Sequence, residues 1–212
     1  MTSAAAGRFI TLEGGEGAGK STQLARLRAW LEARGHEVIA TREPGGSSGA
    51  EMVRKLLVEG PADRWDGTTE ALLHFAARRD HLRATVWPAL KRGSWVISDR
   101  FADSTTAYQG HGHGLDLGML ERLYAVAVGD FRPDLTLILD LPVEAGLARA
   151  AARRGAETRY ENLPKEFHDR VRAGFLAIAE HEPRRCVVVD ATRDVDAVAS
   201  AIAQAATQRL GA

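Results

Sequence analysis

Residues 14–21 read Gly-Gly-Glu-Gly-Ala-Gly-Lys-Ser, which fits the phosphate-binding pattern G-x-x-x-x-G-K-[ST]. Gly14, Gly15, Gly17 and Gly19 let successive backbone N–H groups, with those of Glu16 and Ala18, converge on one anion. A helical pattern beginning at Ser21 adds the positive end of its dipole. Lys20 is placed to reach the β- and γ-phosphates of a nucleoside triphosphate. The Ser21 hydroxyl is placed to bind Mg²⁺, and Thr22 completes the candidate phosphate-binding set.

Further clusters carry chemistry of their own. In Thr41-Arg42-Glu43-Pro44-Gly45-Gly46, an arginine and a carboxylate follow an apolar stretch and enter a Pro-Gly turn. This is either a turn with a solvated ion pair or a loop facing an acceptor, with Arg54 available on the next helix. Ser98-Asp99-Arg100 ends another apolar stretch. A carboxylate there can sit near Mg²⁺, and Arg100 offers phosphate a fork of donors; a structural salt bridge is the alternative. Residues 103–110 carry polar groups at helical spacing, Thr105, Tyr108 and Gln109 among them. They line a pocket or belong to a capped surface helix.

In Leu-His-Phe-Ala-Ala-Arg-Arg (73–79), Arg78 follows His74 by four residues and Phe75 by three, so a ring and a guanidinium share a helix face. A ring can stack on a base while the arginine bonds its carbonyls; alternatively Phe75 lies in the core. Residues 149–161 hold Arg149, Arg153, Arg154 and Arg159 in a segment broken by Gly155. That is a solvated loop, or a lid that supplies an arginine during phosphoryl transfer and excludes water. His111 and His113 have no Cys or His at ligand spacing and suggest a flexible glycine loop, not a metal site.

Five short apolar segments, at 8–12, 37–41, 94–99, 135–141 and 186–190, must position these groups. Helical periodicity occupies 21–34, 50–58, 68–91, 116–128, 143–153, 164–180 and 195–209, with Gly35 and Gly93 as stops. Such alternation predicts an α/β fold: a five-stranded parallel sheet with right-handed crossovers, flanked by helices. Ligands of such sheets bind beyond the carboxyl ends of the strands, so the clusters above face one cleft. Neither an internal repeat nor a low-complexity linker divides the chain, and one domain over 1–212 is expected, with a lid at about 149–161.

The 212 residues carry 28 basic and 28 acidic side chains, a balance that argues against a general nucleic-acid or membrane binder. No run of ~18 apolar residues suggests a membrane span, and the short Ala-rich start lacks the charged region of a signal peptide. The lone Cys186 lies in an apolar run and fits a buried thiol in a reducing compartment, the cytoplasm.

Six motifs together resemble the bacterial thymidylate kinase family. They are Glu-Gly-Gly-Glu-Gly-Ala-Gly-Lys-Ser (13–21), Thr-Arg-Glu-Pro-Gly-Gly (41–46), Phe-Ala-Ala-Arg (75–78), Ser-Asp-Arg-Phe (98–101), Ala-Tyr-Gln-Gly (107–110) and Asp-Phe-Arg-Pro-Asp-Leu-Thr-Leu (130–137). The resemblance implies a P-loop nucleoside triphosphate hydrolase fold, with ATP as donor, Mg²⁺ as metal and dTMP as acceptor, in dTTP biosynthesis. It implies a homodimer. It places Glu16 on the sugar 3′-hydroxyl, and Arg42, Arg54 and Arg100 on the acceptor phosphate. Glu43 and Asp99 fall near metal and sugar, Asp99 with Ser21 on the metal. Arg78 and Gln109, with Thr105 beside them, read thymine, and Tyr108 packs against the sugar C2′. The stacking ring is His74 or Phe75, with Phe75 expected. Some members carry the catalytic arginine in the P-loop near Gly17; this chain resembles the subtype that keeps it in the lid, with Arg153 first and Arg149, Arg154 and Arg159 behind it. A P-loop kinase of another small phosphorylated acceptor shares this logic. A GTPase switch needs Asn-Lys-x-Asp and Asp-x-x-Gly, and neither occurs.

Overall fold

In strand β1 (Phe9–Glu13) every residue is buried, and successive side chains serve opposite faces of a sheet. Ile10 and Leu12 pack with Leu27 and Leu31 of α1 (Lys20–Glu32) and Ile202 of α9 (Val195–Leu210). Phe9 turns the other way, into a cluster with Val96, Phe101, Leu120 and Tyr124. The computed structural model describes residues 7–61, 63–152 and 159–212. Its strands β1, β2 (Val38–Arg42), β3 (Trp95–Asp99), β4 (Leu135–Asp140) and β5 (Cys186–Asp190) form one parallel sheet in the order β2-β3-β1-β4-β5.

The strands end close to their expected positions. β1 and β2 run one residue further, because Glu13 pairs with Ile138 and Arg42 with Asp99. This carries both side chains to the ligand edge. Among the helices, α2 (Ser48–Val58), α3 (Gly67–His81), α6 (Leu117–Ala127) and α9 start at Ser47, Asp66, Asp116 and Asp194, whose side chains accept from first-turn N–H groups. The helix expected over 68–91 is instead α3, a π-turn at Leu82–Val86, and α4 (Trp87–Lys91). Pro88 lacks the N–H that the i→i−4 ladder needs there, and the wider turn accommodates it.

After β3, α5 (Ala102–Thr105) widens into a second π-turn, Thr106–Gly112. The loop expected around His111 is therefore a helical turn packed on α8 (Lys165–His181). A Cβ on Gly112 would come within 2.6 Å of the Phe167 ring, so glycine serves close packing here, not flexibility. The sheet's last connection uses α7 (Val143–Ala152). Cys186 is buried at the start of β5, and burial pushes its thiol up to about 12. Among the described residues no helix is long and apolar enough to cross a membrane.

Candidate active site

Gly14–Gly19 turns tightly from β1 into α1, with Gly19 left-handed at the helix N-cap (φ 89°). No side chain caps this helix and no acid lies in its first turn, so its leading N–H groups face outward as an anion site. The Lys20 ammonium folds back to the carbonyls of Gly14 (3.0 Å) and Gly15 (2.8 Å). Burial, and next Arg100, lower its pKa to about 8, against the pull of Glu16, Asp99 and Glu13. Above it opens a cleft of ≈ 570 Å³ lined by residues 16–21 of the loop. Thr22 is exposed and does not line it.

The loop tip packs against α7 at two glycines. A Cβ on Gly17 (φ +67°) would sit 2.0 Å from the Gly146 carbonyl oxygen, and one on Gly146 would sit 2.4 Å from the Glu16 carbonyl oxygen. No larger side chain fits at either position without moving the loop or the helix.

Arg100 leaves the end of β3 with a left-handed backbone, φ 70°. That conformation is costly for a residue with a Cβ and is held from both sides. The Arg100 N–H donates to the Leu12 carbonyl (2.9 Å), while the Glu13 carboxylate takes the Phe101 N–H (2.7 Å) and the Ser104 hydroxyl (2.5 Å). Burial and nearby Asp103 raise the Glu13 pKa. The kink sends the Arg100 guanidinium over the loop, to the Gly14 carbonyl (3.0 Å), Glu16 Oε1 (3.0 Å) and the Tyr108 hydroxyl (3.0 Å). The Tyr108 hydroxyl in turn donates to Glu16 Oε1 (2.7 Å). Burial would raise the Glu16 carboxyl, but Arg100, Lys20 and Tyr108 outweigh it and hold it at about 2.

Arg42, Arg54, Asp99 and Arg100 line the same cleft as the loop. Arg42 meets Glu51 (3.1 Å), and Arg54 donates to the Pro44 carbonyl (2.6 Å). Glu43 also lines the cleft, but its two oxygens face the protein: Oε2 takes Arg78 Nε (2.8 Å) and Oε1 takes His81 Nδ1 (2.9 Å). Burial opposes ionisation of Glu43, and Arg78 and His81 overcome it. Glu43 thus holds Arg78 and His81 from the cleft's edge.

Arg78 is buried and is not among the residues that line the cleft. Its Nη2 donates to the Phe101 carbonyl and to Thr105 Oγ1, both at 3.1 Å, while Nη1 is buried with no hydrogen-bond partner among the described residues. Thr105 is buried beneath it and does not line the cleft. The expected stacking ring is corrected by the packing. Phe75 points into the core, edge-on to Tyr124 and beneath the Arg78 guanidinium, whose carbon lies 4.9 Å from the ring centre. His74 lines the cleft instead, its Nε2 3.3 Å from the Tyr160 hydroxyl. Burial and Arg78 lower its pKa to about 3, so the ring is neutral near pH 7. Of two adjacent positions on α3, the apolar ring takes the core and the polar ring takes the cleft.

Gln109 lines the cleft and gives its amide nitrogen to Glu70 Oε2 (3.0 Å). Ser104, Tyr160 and Glu13 lie within the clusters first singled out but are not among the expected site residues, and Glu70 belongs to none of those clusters. Glu70 had a signal: with His74 and Arg78 it forms an i, i+4, i+8 row on one helix face.

Of the arginines expected in a lid, Arg153 and Arg154 lie outside the described residues. Arg149 turns from the cleft to the Ala191 carbonyl (3.3 Å) after β5. Arg159 reaches the cleft wall, but its guanidinium is engaged by the carbonyls of Leu57 and Pro61 (3.1 Å each) and by Glu70, so it anchors the chain to α2 and α3.

A family profile described as thymidylate kinase matches residues 12–202. A thymidylate kinase of Caulobacter vibrioides is 57% identical over 205 residues, covering 97% of this chain and 98% of that one. One of Jannaschia sp. is 52% identical over 202 residues, covering 95% and 97%. The crystal structure of the Ehrlichia chaffeensis thymidylate kinase superposes with a TM-score of 0.77 at 34% identity, over 94% of this chain and 98% of that one. With a P-loop nucleoside triphosphatase sheet, and a phosphate-binding turn and an arginine-lined wall in one cleft, the chain belongs to the thymidylate kinase family.

Proposed function

We propose that the chain, acting as one domain over 1–212, transfers the γ-phosphoryl group of ATP to dTMP, giving dTDP and ADP for dTTP biosynthesis. One observation carries this reading: Arg100, from the acceptor wall, bonds the phosphate-binding turn itself, through the Gly14 carbonyl and Glu16. A donor triphosphate and an acceptor phosphate bound there would meet end to end.

The N–H groups of residues 14–19 and the start of α1 hold the ATP phosphates, with Lys20 on the β- and γ-oxygens. Ser21 and Asp99 line the same cleft and offer hard oxygen donors, the set that suits Mg²⁺ alongside water and phosphate. Among the described residues no group of three or more His, Cys, Asp or Glu side chains could hold a metal. When bound, the ion neutralises charge shared by the β- and γ-phosphates.

Arg42, Arg54 and Arg100 bind the acceptor phosphate. Gln109 and His74, which line the cleft, meet the base, and Arg78, buried with its Nη1 without a hydrogen-bond partner among the described residues, is the proposed donor to it. Glu16 and Tyr108 face the sugar. The acceptor oxygen is already anionic near neutrality, since the second pKa of a phosphate monoester is about 6, and no general base is required. The catalytic problem is the repulsion of two polyanions, which the clustered cations relieve. Arg153 is proposed as the lid arginine on sequence grounds alone.

A second copy of this chain is the proposed partner. Exposed Met52, Leu72 and Val126 lie on α2, α3 and α6, which pack side by side and offer apolar surface for it. The balanced charge gives neither nucleic acid nor membrane an obvious purchase, and cytoplasmic work would keep Cys186 reduced. The test is a coupled assay of ADP release over a panel of nucleoside monophosphates. The highest kcat/KM is expected with dTMP; another preferred acceptor overturns the assignment.

A further inference from the structure

Glu70 lies one turn before His74 on α3 and is 1% exposed. Four side chains converge on its carboxylate. Gln109 Nε2 (3.0 Å), the Tyr160 hydroxyl (3.2 Å) and His113 Nε2 (3.5 Å) approach Oε2, and Arg159 Nη2 binds Oε1. Burial disfavours the charge, but His113, Gln109 and Arg159 outweigh it and hold the carboxyl at about 2. Glu70 is therefore ionised at neutral pH and only accepts hydrogen bonds.

That one-sidedness settles the orientation of Gln109. An amide has a donating end and an accepting end that differ little in shape, and its flip is decided by its neighbours. Facing a carboxylate, only the NH₂ end is favourable. We propose that Glu70 is a positioning residue for base selection: it binds the Gln109 amide nitrogen and so presents the Gln109 carbonyl oxygen to the cleft. The inference rests on the reading of Arg78 and Gln109 as the base-recognising pair.

The consequence is an acceptor in the cleft: Gln109, which lines it, accepts through Oε1, while Arg78 Nη1, buried outside the cleft lining and without a hydrogen-bond partner among the described residues, is the donor of the proposed base-recognising pair. Thymine and uracil present the complement, a C4 carbonyl next to N3–H. Cytosine presents a C4 amine next to an N3 acceptor and mismatches at both positions. A mismatch leaves polar groups buried and unpaired, which is where strong discrimination originates. Without the fixed carboxylate the Gln109 amide could turn over and meet cytosine N3 with its NH₂ end.

The test compares kcat/KM for dTMP, dUMP and dCMP in the wild type and in Glu70→Gln, whose neutral amide can meet either end of Gln109. The dTMP:dCMP preference is expected to fall by about tenfold or more. The dTMP:dUMP preference should hold, since those bases differ only at the C5 methyl. If Glu70→Gln lowers dTMP turnover and leaves both ratios intact, Glu70 only supports the fold and the proposal fails. A wild type that does not prefer dTMP undoes the kinase assignment instead, a separate result. Should Glu70→Gln not fold, NMR of the wild type with dTMP decides. NOEs from the Gln109 NH₂ protons to the Tyr160 or His113 ring support the proposal, and NOEs to the thymine ring overturn it.

Discussion

Arg100 Nη2 lies 3.0 Å from Glu16 Oε1, an ion pair that ties the end of β3 to the tip of the phosphate-binding turn. The guanidinium that would hold the acceptor phosphate is thereby registered against the loop that would hold the donor. Arg100→Ala should lower kcat/KM for dTMP by about 10²–10³, the range for removing one preorganised charge-stabilising donor. ATP binding measured by calorimetry should change little. An Arg100→Ala enzyme with a normal dTMP response would remove Arg100 from the acceptor site.

Lys20→Met should cut kcat by about 10²–10³ with the circular dichroism spectrum preserved. Its effect on stability carries a sign. The folded-state pKa of Lys20 is about 8, below the ordinary 10.5, so between those values the unfolded chain binds more protons. This group makes the wild type gain stability as pH rises from about 8 towards 10.5, and melts of Lys20→Met should lack that contribution.

His74 and Phe75 should separate cleanly. Phe75→Ala leaves a core cavity and should cost about 3–5 kcal/mol of stability in denaturant titrations. His74→Ala should raise the KM for dTMP several-fold while shifting the melting temperature little. If Phe75→Leu raised that KM more than His74→Ala at equal stability, the core placement of Phe75 would be wrong.

Glu16 and Glu70 are both held at about 2 against an ordinary 4.5. Their stabilising effect is present above pH 4.5 and is lost as pH falls towards 2, because the unfolded chain takes up the protons first. Melting temperatures recorded from pH 5 to pH 3 should therefore fall less steeply for Glu70→Gln than for the wild type. Parallel slopes would show that this carboxylate is not depressed.

Gly146→Ala should damage turnover more than stability. The added methyl would meet the Glu16 carbonyl at 2.4 Å, so the phosphate-binding loop or α7 must shift. A fall in kcat of about tenfold or more is expected, since misplacement by ~1 Å can cost a hundredfold, with only a small loss in melting temperature. Gly17→Arg, which meets the Gly146 carbonyl at 2.0 Å from its Cβ, should not create a working P-loop arginine in this chain.

The phosphate-binding turn, the five strands and the cleft-lining arginines are legible in the sequence because each depends on contiguous residues: a motif, an apolar run, a strand-end charge. What needs the third dimension is less so. Spacing says that His74 and Phe75 both neighbour Arg78, but packing decides which ring meets the core. Glu43 shows the same limit. Its position after β2 suggests a ligand contact, while Arg78 and His81, 35 and 38 residues away in the chain, claim both its oxygens. The π-turns shift register by inserting a residue into a ladder, which leaves the hydrophobic period nearly unchanged.

The single thiol of the chain is sealed at the root of β5 and far too basic to ionise near neutrality. Cys186 is consequently a native stopwatch: a disulfide reagent can label it only during excursions that expose that strand, so the labelling rate counts those excursions without any engineered probe. Slower labelling with nucleotides present would give their grip on the sheet directly, in seconds.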